Sequence, residues 1–270
     1  MILAARAPFA GAALLAYLAA RVIPGVEEVA DGAYRRSLRL ARGFGVAELS
    51  PERDGMRVSL RLDDPRDEQE ALAQVGALLD LDADAPAIAA HLGADALLGP
   101  HVRREPGRRV PGTVDGPELC FRAVLGQQIS LAAAATHAGR LVAAAGEPLR
   151  EPRGGVTHVF PSPAAIAAVP DAVLAMPASR RRTIRALASA LAGGTPVAPE
   201  RLLELPGIGP WTAAYIAMRA VHDPDAFLPT DLGVRHALAR LGVSQDPRVP
   251  AERWRPYRAY AVLHLWGTLA

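Results

Sequence analysis

The spacing of apolar residues divides the chain into an early part of mixed character and a later part that is almost wholly helical. Within the apolar run Pro8 to Ala20, the positions Leu14, Leu15, Tyr17 and Leu18 have the spacing of a buried helix face. Met56, Val58, Leu60 and Leu62 alternate with Arg57, Ser59 and Arg61, the period of a half-exposed strand, and 34–40 and 43–49 are its expected partners in a small antiparallel sheet. Asp64-Pro65 marks a helix start, and Leu72, Val75, Leu78 and Leu79 give that helix a buried stripe. From Gly116 onward the pattern is helical, punctuated by Pro161-Ser162-Pro163, Pro170, Pro177 and Gly193-Gly194, while 146–161, rich in Pro and Gly, reads as an exposed loop. The expectation is an α+β protein. A mixed α/β subdomain with a small antiparallel sheet covers 1–100, a basic linker 101–112, a helical domain 113–230, and a helical part completing a cleft 231–270. No repeat of solenoid period is visible.

The most informative punctuation is Leu205-Pro206-Gly207-Ile208-Gly209-Pro210-Trp211-Thr212. Glycines flanking Ile208 predict a tight turn, and the apolar stretch from Trp211 to Ala220 predicts a helix starting there, so that a helix-hairpin-helix unit falls at about 202–220. A helix start presents unpaired N–H groups and a partial positive charge. With no side chain at either glycine, a phosphate can approach those amides, and such a turn holds a nucleic-acid backbone without reading its sequence. Two blander readings compete. A dinucleotide fingerprint needs a third glycine and a preceding strand, whereas Arg201-Leu202-Leu203-Glu204 looks helical. A helix corner without a ligand is the ordinary meaning of an isolated Gly-x-Gly, and only the wider context decides against it.

Composition removes several chemistries. Of the 30 basic residues every one is arginine, so no lysine amine is present to form a Schiff base with an opened sugar. The single cysteine, Cys120, excludes an internal disulfide, a four-cysteine zinc site and a four-thiolate iron–sulfur cluster, and reads as a buried core thiol. Seven histidines are scattered without a His-x-x-x-His pair, so no transition-metal site is expected. A net charge of +2 is too small to imply a nucleic-acid partner by itself; Arg103, Arg104, Arg108 and Arg109, and Arg180 to Arg182, are weak candidates for phosphate contacts. The apolar run Pro8 to Ala20 follows Arg6 as in a signal peptide, but it is too short to span a membrane and its spacing suits a buried helix; the expectation is a cytoplasmic protein with no membrane partner.

Leu205 to Ala214, Phe227-Leu228-Pro229-Thr230-Asp231 and Ala251-Glu252-Arg253-Trp254-Arg255-Pro256-Tyr257-Arg258 together resemble the helix-hairpin-helix DNA glycosylases, and within them the bacterial 3-methyladenine DNA glycosylase II branch. The resemblance extends to Arg122-Ala123-Val124-Leu125-Gly126-Gln127-Gln128-Ile129-Ser130 and to Leu18-Ala19-Ala20-Arg21 with Val26-Glu27-Glu28-Val29-Ala30-Asp31, almost the whole chain. It implies a monofunctional glycosylase that flips an alkylated base out of double-stranded DNA in base excision repair. Asp231 corresponds to the catalytic aspartate, whose negative charge would stabilise a cation-like sugar; a plain helix cap is the competing reading. By the same resemblance Trp211, Tyr215 and Trp266, with Tyr17 at the rim, form the base pocket, and Gly207, Ile208, Gly209, Thr212 and Gln128 meet the DNA. Gln128 is the wedge that fills the gap left by the flipped base, where relatives carry leucine. Leu232 and Gly233 replace a larger, more aromatic pair, which suggests a roomier pocket. The lyase branch carries its lysine where Trp211 stands here. No cofactor is required, and a structural Na+ or K+ would sit on the backbone carbonyls of Leu203, Leu205 and Ile208.

Two other functions fit parts of the pattern. One is a non-catalytic DNA-binding half of a larger methyl-accepting regulatory fusion, for which the start Met1-Ile2-Leu3-Ala4 would suit a fragment; the presence of Asp231 argues against it. The other is a glycosylase for an oxidised base, which the aromatic residues and the missing lysine disfavour. A monomer is expected.

Overall fold

The computed structural model describes residues 1–53 and 55–269. Strands β1 (Ile2–Ala4), β2 (Glu27–Ala30), β3 (Ala33–Arg39), β4 (Phe44–Glu52) and β5 (Gly55–Leu62) form one antiparallel sheet in the order β1-β5-β4-β3-β2. The alternation at Met56 and Val58 sets the register: Val58 lies opposite Leu49, which lies opposite Tyr34, and all three are buried. Helices α1 (Gly11–Ala19) and α2 (Glu68–Leu79) contribute Leu14, Leu18, Val75, Leu78 and Leu79 to the same core.

Two further helices, α3 (Ala85–Gly93) and α4 (Gly99–Arg104), precede the helical region. That region contains α5 (Gly116–Leu125), α6 (Leu131–Ala145), α7 (Pro163–Ala168), α8 (Ala178–Ala192), α9 (Pro199–Leu202), α10 (Pro210–Ala220), α11 (Leu232–Arg240), α12 (Arg248–Ala251) and α13 (Arg258–Gly267). It is built around two apolar cores. The first gathers α5 to α9 and contains Cys120, whose thiol is pushed up to about 12 by burial. The second gathers α11 and α13 with Trp254. Helix α10 serves both, with Ile216 in the first and Ala217 and Met218 in the second, so a cleft between the cores must open along it. Among the described residues no helix is long and apolar enough to cross a membrane.

Three sequence expectations change. Residues 146–161 are not a loop but mainly a hairpin, β6 (Glu147–Arg153) and β7 (Val156–Val159), turned by Gly154, whose φ is +59°. It is held because Leu149, Val156 and Val159 bury against Val46 of the sheet. The basic linker 101–112 begins as the end of α4. Its Arg109 is 2% exposed and donates to the carbonyls of Arg6, Pro8 and Gly107, which ties it to the N-terminal segment rather than to solvent. Finally, Ile88 and Leu92 of α3, Leu98 just before α4 and Val102 of α4 pack into the second helical core, away from the sheet core with which 1–100 was grouped.

A buried charge cluster joins the sheet to α5. Glu27 accepts from the Tyr34 hydroxyl at 2.6 Å and from Arg122 at 2.9 Å, and Glu118 accepts from Arg36 at 2.9 Å and from Arg122 at 2.8 Å. Burial alone would raise the Glu27 carboxyl, but the adjacent Arg122 and Arg36 outweigh it and hold it below its ordinary range. Two carboxylates against two guanidiniums leave no net charge, and removal of one partner from such a buried cluster costs ~3–5 kcal/mol. Because α5 runs directly into the turn Gly126-Gln127-Gln128, the cluster also fixes the base of that turn.

Candidate active site and nucleic-acid interface

The cleft along α10 contains a cavity of about 400 Å³ whose lining includes Tyr17, Arg21, Arg122, Trp211, Tyr215, Arg219, Asp231, Gly233 and Trp266. This is within the ~300–1,000 Å³ of small-ligand sites. Helical spacing on α10 puts Trp211 and Tyr215 one turn apart, and their rings stack with centroids 5.3 Å apart and 10° between planes. Tyr17 of α1 and Trp266 of α13 form a second parallel pair at 6.3 Å and 15°. The four aromatics expected at the pocket are therefore brought together.

Asp231 joins the two pairs. It caps α11, with Oδ1 accepting from the Val234 N–H at 2.9 Å. The same oxygen accepts from the Trp266 indole N–H at 2.9 Å, and Oδ2 accepts from the Trp211 indole N–H at 3.0 Å. Capping and placement in the cavity are thus not alternatives, because one carboxylate does both. Gly233 permits this arrangement: a Cβ there would lie 2.8 Å from Cδ1 and 2.9 Å from Nε1 of Trp266. The small residue after Leu232 does not simply enlarge the pocket, since the Trp266 indole occupies the space beside it. Leu232 itself is 67% exposed.

Beside the cavity runs a groove of about 920 Å³ that shares Gly126, Trp211 and Asp231 with it and is otherwise lined by the turn 127–130, by Gly207, Gly209 and Thr212, and by Thr230 and Leu232. Gln128 is exposed at the tip of its turn with φ +57°, a left-handed conformation unusual for a side-chain-bearing residue. The neighbouring Gln127 amide donates to the Gly207 carbonyl at 3.1 Å and to the Thr212 hydroxyl at 3.0 Å, while Arg180 donates to the Gln127 carbonyl at 2.5 Å. The Gln128 turn and the hairpin are therefore fastened to each other.

The two hairpin glycines have different reasons to be glycine. Gly207 has φ +81°, and a Cβ there would lie 2.0 Å from the Thr183 hydroxyl oxygen; Gly209 caps α10 and faces open space. The side chains of Ile208 and Thr212 are buried, so what these residues offer to the groove is mainly backbone.

Sequence reasoning missed Gln127, Arg21, Arg122 and above all Arg219. Arg219 is buried on α10, donating to the Tyr215 hydroxyl at 2.7 Å and to the carbonyls of Pro111 and Gly112 at 2.6 and 2.9 Å. A readable signal existed: Trp211, Tyr215 and Arg219 recur every fourth residue on one apolar helix, and an arginine on a face so placed must find partners inside.

A glycine-turned hairpin beside a groove, with a capping carboxylate at the mouth of an aromatic cavity, defines a class that the relatives identify. Residues 121–256 match the HhH-GPD superfamily of base excision DNA repair proteins, and residues 1–115 match the AlkA N-terminal domain. The chain belongs to this superfamily and, within it, to the AlkA family of DNA-3-methyladenine glycosylases. It is 36% identical over 275 residues to DNA-3-methyladenine glycosylase 2 of Escherichia coli (strain K12), covering 97% of this chain and 94% of that one. It is 50% identical over 276 residues to the "Probable bifunctional transcriptional activator/DNA repair enzyme AlkA" of Mycobacterium tuberculosis (strain CDC 1551 / Oshkosh), matching 98% of this chain. It spans only 56% of the length of that relative. The solved 3-methyladenine DNA-glycosylase from Archaeoglobus fulgidus shares the fold, with a TM-score of 0.84 at 20% identity over 98% of this chain and 97% of that one.

Proposed function

We propose that the chain is a monofunctional DNA glycosylase that hydrolyses the N-glycosidic bond of alkylated bases, such as 3-methyladenine and 7-methylguanine, in base excision repair of duplex DNA. The observation that carries this reading is the Asp231 carboxylate, held by three N–H donors at the boundary between groove and cavity. Duplex DNA hides the glycosidic bond, so the nucleotide must leave the stack. The hairpin amides around Gly209 hold the phosphates, Gln128 enters the gap, and the base passes into the cavity. A purine alkylated on a ring nitrogen is cationic and is attracted to the faces of Trp211 and Trp266. As the base leaves, positive charge develops on the sugar, and a carboxylate fixed nearby stabilises it without reorganisation. The same oxygens can take the proton of the attacking water. A monovalent cation on the carbonyls of Leu203, Leu205 and Ile208 is part of the proposal: among the described residues no N–H is hydrogen-bonded to the carbonyls of Leu203 or Ile208, while that of Leu205 accepts from the Ile208 N–H at 3.2 Å and keeps its second lone pair for a ligand.

The test is Asp231→Asn. One oxygen can still cap α11, but the new amide N–H₂ would face an indole N–H, and the negative charge is lost. Release of 3-methyladenine should fall by at least about a hundredfold, the order of one preorganised electrostatic contact. Affinity for an abasic-site analogue should change little. Near-normal excision by the folded variant would remove Asp231 from the mechanism and leave a non-catalytic DNA-binding module as the better reading.

A further inference from the structure

The groove continues past Asp231. Thr230, on its rim, also lines a second hollow of about 470 Å³, walled by Arg235, Ser244, Gln245, Asp246 and Arg248. No hairpin residue and no residue of the Gln128 turn lines this hollow, so those two grips lie on one side of Thr230 and the hollow on the other.

The hollow carries one unpaired positive charge. Arg248 and Asp246 cancel each other, with Nη1 and Oδ2 3.1 Å apart. Arg235 has no such partner. It stands four residues after Asp231 on α11, a spacing at which a carboxylate and a guanidinium ordinarily pair. They do not pair here, because both Asp231 oxygens are taken by the Val234 N–H and the two indoles. Among the described residues the exposed Arg235 guanidinium makes no hydrogen bond or ion pair, and the Ser244 hydroxyl and the Gln245 amide have no partner either. An unpaired arginine on a helix is ordinarily just solvated. This one stands with two neutral polar side chains in a concavity that opens onto the groove, and one net positive charge matches one phosphodiester.

We propose that this hollow holds a phosphodiester of the lesion-bearing strand, with Arg235 as its cation, on the side of the flipped nucleotide opposite the hairpin. The inference rests on the glycosylase reading above, in which C1′ of the flipped nucleotide faces Asp231. The strand that carries this sugar passes the hairpin on one side and Thr230 on the other. A nucleotide leaves the stack by rotation about its backbone, so a grip on one flanking phosphate leaves the other free to swing back. A grip on both fixes the rotated state. Ser244 and Gln245 donate to the phosphate oxygens while Arg235 supplies the charge, and such contacts position the strand without reading its sequence.

The probe is a duplex with one tetrahydrofuran abasic-site analogue, its dissociation constant measured with the full chain at roughly 50 and 200 mM NaCl. Each phosphate contact contributes about 0.9 to the slope of log affinity against log salt. Across this change of salt Arg235→Gln should therefore lose about 3.5-fold less affinity than the parent, whatever the flanking sequence. Arg240 is the internal control. It is also exposed and unpartnered, but it lies about 7.5 Å further along α11 and outside the hollow, so Arg240→Gln should leave the salt dependence close to that of the parent.

Neutral methylphosphonates placed one at a time along the lesion strand locate the contact. In the unmodified protein they should weaken binding on both sides of the analogue, the hairpin side being the one whose losses shrink in Gly209→Ala. At one position on the other side the loss should vanish in Arg235→Gln. A footprint confined to the hairpin side, unchanged salt dependence in Arg235→Gln, equal changes in the two arginine variants, or losses that add at every position would overturn the second grip. The footprint of the unmodified protein decides the matter even if a variant fails to fold. Failure of the unmodified protein to bind any duplex, or binding without release of 3-methyladenine, would instead overturn the glycosylase reading beneath it.

Discussion

Gly233→Ala separates the chemistry of the site from the stability of the fold. Gly233 sits in the first turn of α11, where alanine is the better helix former by roughly 0.5–1 kcal/mol. The backbone should therefore tolerate the change. Its Cβ, however, would lie 2.8 Å from the Trp266 indole, and restoring a ~3.5 Å carbon contact displaces the ring by roughly 0.7 Å. The indole nitrogen moves with the ring, so the 2.9 Å bond to Asp231 Oδ1 stretches towards a distance at which no hydrogen bond remains. A hydrogen bond to a charged group contributes ~1.5–3 kcal/mol. If it holds the carboxylate where the sugar needs it, its loss lowers the rate of base release roughly ten- to a hundredfold. The assay pairs single-turnover release of 3-methyladenine with a thermal melt: the helix gain offsets part of the lost hydrogen bond, so the melt should fall by only a few degrees and the protein stay folded, while release falls far more. A folded variant that releases base within about threefold of the parent would show that the indole donor does not orient Asp231.

Three further outcomes follow from particular residues. Gly209→Ala, whose Cβ meets nothing, should fold normally and weaken binding to any duplex by partly covering the amides, whereas Gly207→Ala should destabilise because of its φ of +81° and the Thr183 side chain; equal DNA affinity for folded Gly209→Ala and parent in a salt titration would make the hairpin a structural corner. His264, 4% exposed, is lowered to about 4 by burial, with Arg108 and His101 adding to the effect. Its unfolded form binds a proton first, so stability present above pH 6.5 is lost as pH falls towards 4, by roughly 3 kcal/mol at 1.36 kcal/mol per unit. Asp80, raised to about 6 by burial, works in the opposite direction over part of that window, so the readout is the difference between parent and His264→Leu in urea unfolding at pH 7 and pH 4.5; identical pH dependence in the two would refute the assignment. With no lysine in the chain and the Met1 amine bonded to the Val58 carbonyl, borohydride should trap no covalent complex with DNA, and strands should break only after alkali.

How much of this was readable in the sequence depends on the range over which each feature is determined. Helix and strand identities in 11–79 followed from local period, because one buried face dictates the spacing of Leu14 and Leu18 or of Met56 and Val58. The 146–161 hairpin was hidden by its prolines, Pro148 and Pro152, which argue against a strand, although Gly154-Gly155 between Arg153 and Val156 is a two-residue hairpin turn. Burial of Arg109 was unreadable because its partners are carbonyls about a hundred residues away, at Arg6 and Pro8.

The site divides in the same way. Asp231 could be read as a helix cap after Pro229, and its catalytic assignment came from resemblance. What makes it more than a cap, two indole donors from positions 20 residues before and 35 residues after it, exists only once α10 and α13 have packed on either side of α11. The Tyr17–Tyr215 contact spans 198 residues and no local pattern encodes it. Yet one of its components was exposed to inspection. An arginine on the Trp211–Tyr215 face of an apolar helix either reaches solvent or is satisfied inside. Arg219 takes the second course by using two backbone carbonyls and a phenol rather than a carboxylate.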